Sequence, residues 1–154
     1  MASWDDFVGA APELAALSAE RLEGPGLCLV GTLRRNGWPR ISPVEPLVAH
    51  GRLYLGMMWQ SKKALDLLAD PRCVVHRVVT DAAGTEGDVK LYGRAAAVTD
   101  PGERERYAVA LEARIGWRPE GEEWHLFALD LTEVGYVAVV EGGRDVCHWR
   151  PQPG

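Results

Sequence analysis

The sequence predicts a mainly β, α+β chain: an antiparallel barrel of six or more strands with flanking helices. Two observations carry that expectation. Strand-length runs rich in Val, Ile and Leu recur along the chain, separated by Gly, Asn and Asp turn residues. Several of these runs, Cys73–Val79 above all, are apolar at adjacent as well as alternate positions, so both faces need cover. A closed or nearly closed barrel satisfies both, because one face fills the interior while helices or a second copy cover the other.

The elements follow in order. Residues 4–22 carry apolar groups at Phe7, Val8, Ala11, Leu14 and Leu17, a helical stripe that Pro12 can split into two pieces. Gly24-Pro25-Gly26 ends it, and a barrel is expected over about 26–150. Leu27–Leu33, the Asn36-Gly37 turn and Ile41–Val48 read as a β-hairpin. Gly51 turns the chain into a strand over 52–57. Ser61 is an N-cap for a helix over 61–70 that Pro71 forbids from continuing. Cys73–Val79 is a β-branched strand, 81–87 a polar connection and 88–98 a further strand. Pro101 opens a helix with Tyr107, Leu111 and Ile115 on one stripe, closed by Gly116. Strands near 124–131, 134–140 and 144–150 finish the chain, with Gly142-Gly143 as the last turn. No repeat, linker or low-complexity tract interrupts residues 1–154, which read as one domain.

Composition narrows the function. At 47% apolar and 25% charged residues the chain has globular composition. Its net charge of −5 lacks the basic surface that counterion release requires, which argues against a nucleic-acid partner. No apolar run reaches the length of a membrane span and no signal peptide precedes the first helix, so no membrane role and a cytoplasmic location are expected. Cys28, Cys73 and Cys147 are odd in number and form no CxxC pair, and Cys28 and Cys73 lie in strand-like apolar runs, which fits buried thiols in a reducing cytoplasm. Neither a metal site nor a Ser-His-Asp arrangement is indicated.

The most informative local feature is the pair Lys62-Lys63, two of only three lysines in a chain with fourteen arginines. A helix start already carries partial positive charge, so lysines in its first turn are unfavourable by about 0.3–1 kcal/mol each. A bound anion, most simply a phosphate, would reverse that sign by accepting from the free N–H groups and both ammonium groups. Pairing of Lys62 or Lys63 with Asp66 is the ordinary alternative. The segment alone leaves these two readings even.

Two stretches tip the balance. Gly31-Thr32-Leu33 with Asn36-Gly37-Trp38-Pro39-Arg40-Ile41-Ser42-Pro43-Val44, and Ser61-Lys62-Lys63-Ala64 with Leu68 and Asp70-Pro71-Arg72-Cys73, resemble the flavin-binding split-barrel family that includes pyridoxamine 5′-phosphate oxidase. The resemblance runs from about Leu27 to the end of the chain. It implies a homodimer with a flavin nucleotide at the subunit interface. By position it assigns cofactor contacts to Arg40, Ile41, Ser42, Pro43 and Val44, to Gly56 and Met57, to Ser61, Lys62 and Lys63, and to Asp88. Strand alternation puts Arg40, Ser42 and Val44 on one face and Ile41, Pro43 and Glu45 on the other.

Glu45 departs from the family pattern, because the oxidase has a lysine there that helps hold its substrate's phosphate. The chain also ends near Arg150 without the oxidase's C-terminal segment. It therefore resembles the shorter branch of the family, whose members bind FMN, the deazaflavin coenzyme F-420 or, more rarely, haem. Arg34 and Arg35 could extend a basic groove for the deazaflavin's acidic tail. Trp59, Trp117, Trp124 and Trp149 either line an apolar pocket over the flavin or fill core and interface. His76 reads as a hydrogen-bonded core residue, while His125 and His148 are the histidines that could approach a haem or substrate. The expected function is oxidoreduction of a small-molecule substrate by a flavin nucleotide, with no catalytic side chain assigned. A flavin or haem carrier, or a redox sensor, is the alternative.

Overall fold

The computed structural model describes residues 2–153. Met1 and Gly154, the ends of the domain expected over 1–154, lie outside the described residues. Seven strands form one sheet: β1 (Cys28–Leu33), β2 (Pro39–Ala49), β3 (Arg52–Met58), β4 (Arg72–Arg77), β5 (Asp88–Ala97), β6 (Trp124–Val140) and β7 (Gly143–Trp149). Their order is β3-β2-β1-β4-β5-β6-β7, and β3 also pairs with β6, so six strands close on themselves while β7 extends the outer half of β6. The paired neighbours are antiparallel. The α+β barrel predicted by the sequence is the observed fold.

Local chemistry explains the connections. In the β1–β2 hairpin Gly37 adopts φ +86°, the Trp38 amide donates to Asn36 Oδ1 at 3.1 Å, and the Arg34 amide donates to the Trp38 carbonyl at 2.9 Å. That closure lets β2 start at Pro39, two residues before the expected Ile41. The predicted strands near 124–131 and 134–140 are one 17-residue strand. Tyr92 pairs with Glu133 and Gly93 with Leu131, so Thr132 is an extra residue on β6 and bends the strand without ending it. Gly93 is needed there, since a Cβ would collide with the Asp130 carbonyl oxygen.

The N-terminal stripe does split at Pro12, into α1 (Trp4–Ala10) and α2 (Pro12–Glu23). Helix α3 (Lys62–Ala69) connects β3 to β4. Helix α4 (Pro101–Ile115) is capped by Asp100 and closed by Gly116 at φ +73°. Ile115, expected on its buried stripe, is 48% exposed, so only Tyr107 and Leu111 of that stripe are buried.

Two apolar clusters hold these pieces together. Val30, Val44, Leu55, Val75, Leu91, Phe127 and Leu131 belong to the larger cluster, joined by Trp4, Phe7 and Leu22 from α1 and α2. Leu47, Tyr54, Tyr107, Leu111 and Leu126 form the second, which fixes α4 against β2, β3 and β6. The sequence assigns surplus apolar surface to 73–79 and 134–140. In the structure Val75, Val134, Tyr136 and Ala138 are buried, and exposure remains at Val79, Val139 and Val140. Among the described residues the most exposed apolar groups are elsewhere, at Met58 (80%), Ile41 (73%) and Trp38 (68%). No described helix is long and apolar enough to cross a membrane.

Candidate cofactor site

The chain leaves β3 at Met58, reverses through Gln60 in the left-handed region (φ +58°), and enters α3 through Ser61. Ser61 has the extended backbone of an N-cap (φ −61°, ψ 148°), yet its side chain caps nothing. The Ser61 hydroxyl is buried with no partner among the described residues. A buried hydroxyl beside uncapped helix N–H groups is an incomplete hydrogen-bond set that an anion would complete.

Two clefts flank this helix start, and the basic pair divides between them. Lys62 faces a cleft of about 380 Å3 lined by Arg34, Arg35, Asn36, Arg40, Leu65 and Asp66. Lys63 faces a larger cavity of about 640 Å3, where Pro43, Val44, Glu45, Gly56, Met57 and Tyr107 are among the lining residues. The two ammonium groups therefore do not converge on one point in the free chain. Lys63 Nζ donates to the Pro43 carbonyl at 2.8 Å. Burial lowers the Lys63 pKa, and the Glu45 charge opposes that shift.

Arg40 is committed as well. Its Nε donates to Asp66 Oδ2 at 2.7 Å, and the buried Thr32 hydroxyl donates to the same oxygen at 2.7 Å. The pairing of Asp66 with a lysine, the ordinary alternative above, is replaced by this Arg40–Asp66–Thr32 arrangement. Lys62 is left exposed, with no ion pair among the described residues. The remaining β2 candidates alternate as expected: Val44 is buried and Ser42 half-buried, while Ile41 and Pro43 are exposed on the other face.

Gly56 has a different reason to be glycine than contact with a cofactor. A Cβ there would collide with the Tyr107 hydroxyl, which packs across the strand from α4. Gly56→Ala is therefore expected to destabilise the chain by about 1–3 kcal/mol through overpacking. Chemical denaturation of Gly56→Ala with and without Tyr107→Phe checks this, because removing the hydroxyl should recover part of the loss.

Asp88 is not brought to this site. Two strands lie between β2 and β5 in either direction around the six-stranded barrel, which puts Asp88 on the far side. There its carboxylate lies 3.5 Å from His76 Nε2 and 3.4 Å from Lys90 Nζ. Within one chain it contacts neither cleft.

The tryptophans separate into two groups. Trp59, Trp117 and Trp124 line the larger cavity, whereas Trp149 packs on Phe7 with ring centroids 4.7 Å apart. His76 is hydrogen-bonded, its Nδ1 lying 2.6 Å from the Arg77 carbonyl, but its side chain is 35% exposed and is not the core residue expected. His125 stacks on Trp59 at 4.7 Å and accepts from the Gln60 amide through Nε2 at 3.1 Å. Burial, with Arg104 nearby, lowers the His125 pKa and favours the neutral ring that this bond requires. His148 pairs with Glu133 at 2.9 Å. Tyr107 and Asp66 were not singled out by sequence. Tyr107 lies on an apolar helical stripe and reads as core, while Asp66 reads as a lysine partner.

Six strands closed into an antiparallel barrel, with helices packed around it, make a split-barrel-like α+β fold. The chain belongs to the pyridoxamine 5′-phosphate oxidase family, whose profile matches residues 14–138. Similar solved structures include general stress protein 26 from Bacillus anthracis str. Sterne (19% identity, 88% of this chain and 97% of that one, TM-score 0.65). Another is HutZ, the haem storage protein of Vibrio cholerae (15% identity, 79% and 89%, TM-score 0.64). A third is a haem-binding protein from Mycobacterium smegmatis (20% identity, TM-score 0.64), for which the match covers 86% of this chain but only 57% of that one. Likeness at these identities shows the fold alone. No curated protein matches the chain.

Proposed function

We propose that this chain binds a flavin nucleotide, FMN in the first instance, and serves as an oxidoreductase for a small organic substrate. The carrying observation is the unpartnered, buried Ser61 hydroxyl at the start of α3, beside a cleft lined by Lys62, Arg34, Arg35 and Arg40. The phosphate is assigned to Ser61, the first-turn N–H groups of α3 and Lys62, with Lys63 and Arg40 adding positive potential from either side. The flavin ring is assigned to the strand segments Ile41–Val44 and Gly56-Met57. Bound flavin supplies hydride or electron transfer, and the protein orients it and shapes the substrate's cavity. A role for Asp88 requires the second copy of the chain.

Arg34 and Arg35 in the same cleft favour deazaflavin coenzyme F-420 as the second cofactor reading, since its acidic tail needs more cations than one phosphate does. A haem or flavin carrier without turnover is the second functional reading, motivated by the haem-binding proteins among the similar folds. His125 supports haem poorly, because its Nε2 already accepts from the Gln60 amide. Titration with FMN, F-420 and haemin, followed by flavin fluorescence or the haem absorption band, separates the cofactors. Substrate-dependent flavin reduction or reoxidation separates an enzyme from a carrier.

Glu45 on the cavity wall predicts a negative result. Pyridoxamine phosphate should not be oxidised at a meaningful rate, because the carboxylate repels the substrate's phosphate. Formation of pyridoxal phosphate would contradict this. Exposed Trp38, Ile41 and Met58, next to the proposed site, also predict a homodimer with one flavin per subunit. Analytical ultracentrifugation during cofactor titration should show a dimer whose dissociation lowers affinity. A stable monomer with full affinity would place the site away from the interface.

A further inference from the structure

The 640 Å3 cavity has a chemistry that phosphate binding does not use. Among the described residues, Glu45, Glu120 and Glu123 line it against a single cation, Lys63, whose ammonium already donates to the Pro43 carbonyl. Any anion entering this space meets three carboxylates. Its wall also holds Tyr107, which is 2% exposed and makes no side-chain hydrogen bond among the described residues. That hydroxyl lies against Gly56 on the cavity wall, with its hydrogen-bonding capacity unused among the described residues. Burial and the Glu45 charge raise the Tyr107 pKa and keep its proton in place, leaving a neutral oxygen whose lone pairs can accept.

The aromatic wall fits the same sign of charge. Trp124 is already covered by the Arg104 guanidinium, 3.8 Å from its ring centre, and Trp59 by His125. Trp117 is exposed in the cavity and joins no aromatic or cation pair among the described residues. Its loop is held in place: Gly116 turns the chain at φ +73°, and Arg118 pairs with Glu105 at 3.0 Å and Glu112 at 2.5 Å. The free indole face and Glu120 are thus presented by a braced segment, with Tyr107 and Glu45 fixed by α4 and β2. An aromatic face and carboxylates together attract a cation that carries apolar surface.

We propose that this cavity binds an organic cation, a protonated amine carried on an apolar or aromatic ring, through Glu45, Glu120, the Tyr107 oxygen and the face of Trp117. The inference rests on the proposed function in that it names the substrate class of the same site. Cation binding is tested separately from cofactor binding, because Glu45, Glu120, Tyr107 and Trp117 are not among the residues assigned to the flavin.

The test uses three probes of one shape: benzylammonium, benzyl alcohol and benzoate, titrated by calorimetry into the purified full chain with and without FMN. Benzylammonium should bind at least ten-fold more tightly than benzyl alcohol and quench tryptophan fluorescence, while benzoate gives no saturable binding. Glu45→Gln combined with Glu120→Gln should bring benzylammonium down to the level of benzyl alcohol. Tyr107→Phe, which keeps the ring, should weaken benzylammonium several-fold, with circular dichroism confirming that each variant is folded. Benzoate binding as well as benzylammonium, binding of none of the three, or a cation affinity unchanged in the double variant would overturn the proposal. FMN binding without cation selectivity defeats this inference alone; cation selectivity without FMN binding supports it and defeats the flavin assignment.

Discussion

Changing Lys62 and Lys63 together to alanine should weaken FMN binding by at least about ten-fold while leaving the barrel folded. Charge-assisted hydrogen bonds are worth about 1.5–3 kcal/mol each, so the Lys62 contact accounts for at least about ten-fold and the lost potential of Lys63 adds a smaller factor. Lys62 is exposed at the mouth of the basic cleft with no ion pair among the described residues, and its removal costs the fold little. Lys63 holds the Pro43 carbonyl, so Lys63→Ala should also loosen the outer edge of β2. Single variants followed by flavin fluorescence separate the two roles. Lys62→Ala should lose affinity without a change in melting temperature, and Lys63→Ala should lose affinity with a small drop. Unchanged FMN affinity in the double variant would remove the phosphate from the start of α3.

Asp66→Ala should destabilise the chain by about 2 kcal/mol. Its carboxylate accepts from both Arg40 and Thr32, and Asp66 and Thr32 are buried. Removing it leaves a buried hydroxyl and a guanidinium without their acceptor, the costly way to break such a pair. Arg40 keeps about a quarter of its side chain in water, which holds the loss below that of a fully buried ion pair. Urea denaturation should show a lower midpoint at unchanged slope. A loss within about 0.5 kcal/mol, ordinary for surface positions, would mean that Asp66 does not tie α3 to β1 and β2.

Strands whose signals are local were legible in the sequence. The Asn36-Gly37 turn and the alternation of Arg40, Ser42 and Val44 fix β1 and β2 without reference to the rest of the chain. The start of α3 was legible because its lysines are placed against the helix dipole. The unity of β6 was not, because Thr132-Glu133 looks like a break until Gly93 on β5 is seen to absorb the extra residue. The Arg40–Asp66 bond joins residues 26 apart, and the encounter of Tyr107 with Gly56 depends on how α4 packs over β3. Neither has a local signature. The divergence of Lys62 and Lys63 into two clefts likewise depends on which strand edges flank the helix start.

The central claim is that the start of α3 holds a phosphate. Titration of wild-type apoprotein with FMN and with riboflavin, which share the ring and differ in the phosphate, tests it most directly. Three or more charge-assisted contacts at Ser61, the α3 amides and Lys62 predict that FMN binds at least about 100-fold more tightly than riboflavin. Equal affinities for the two would contradict the account.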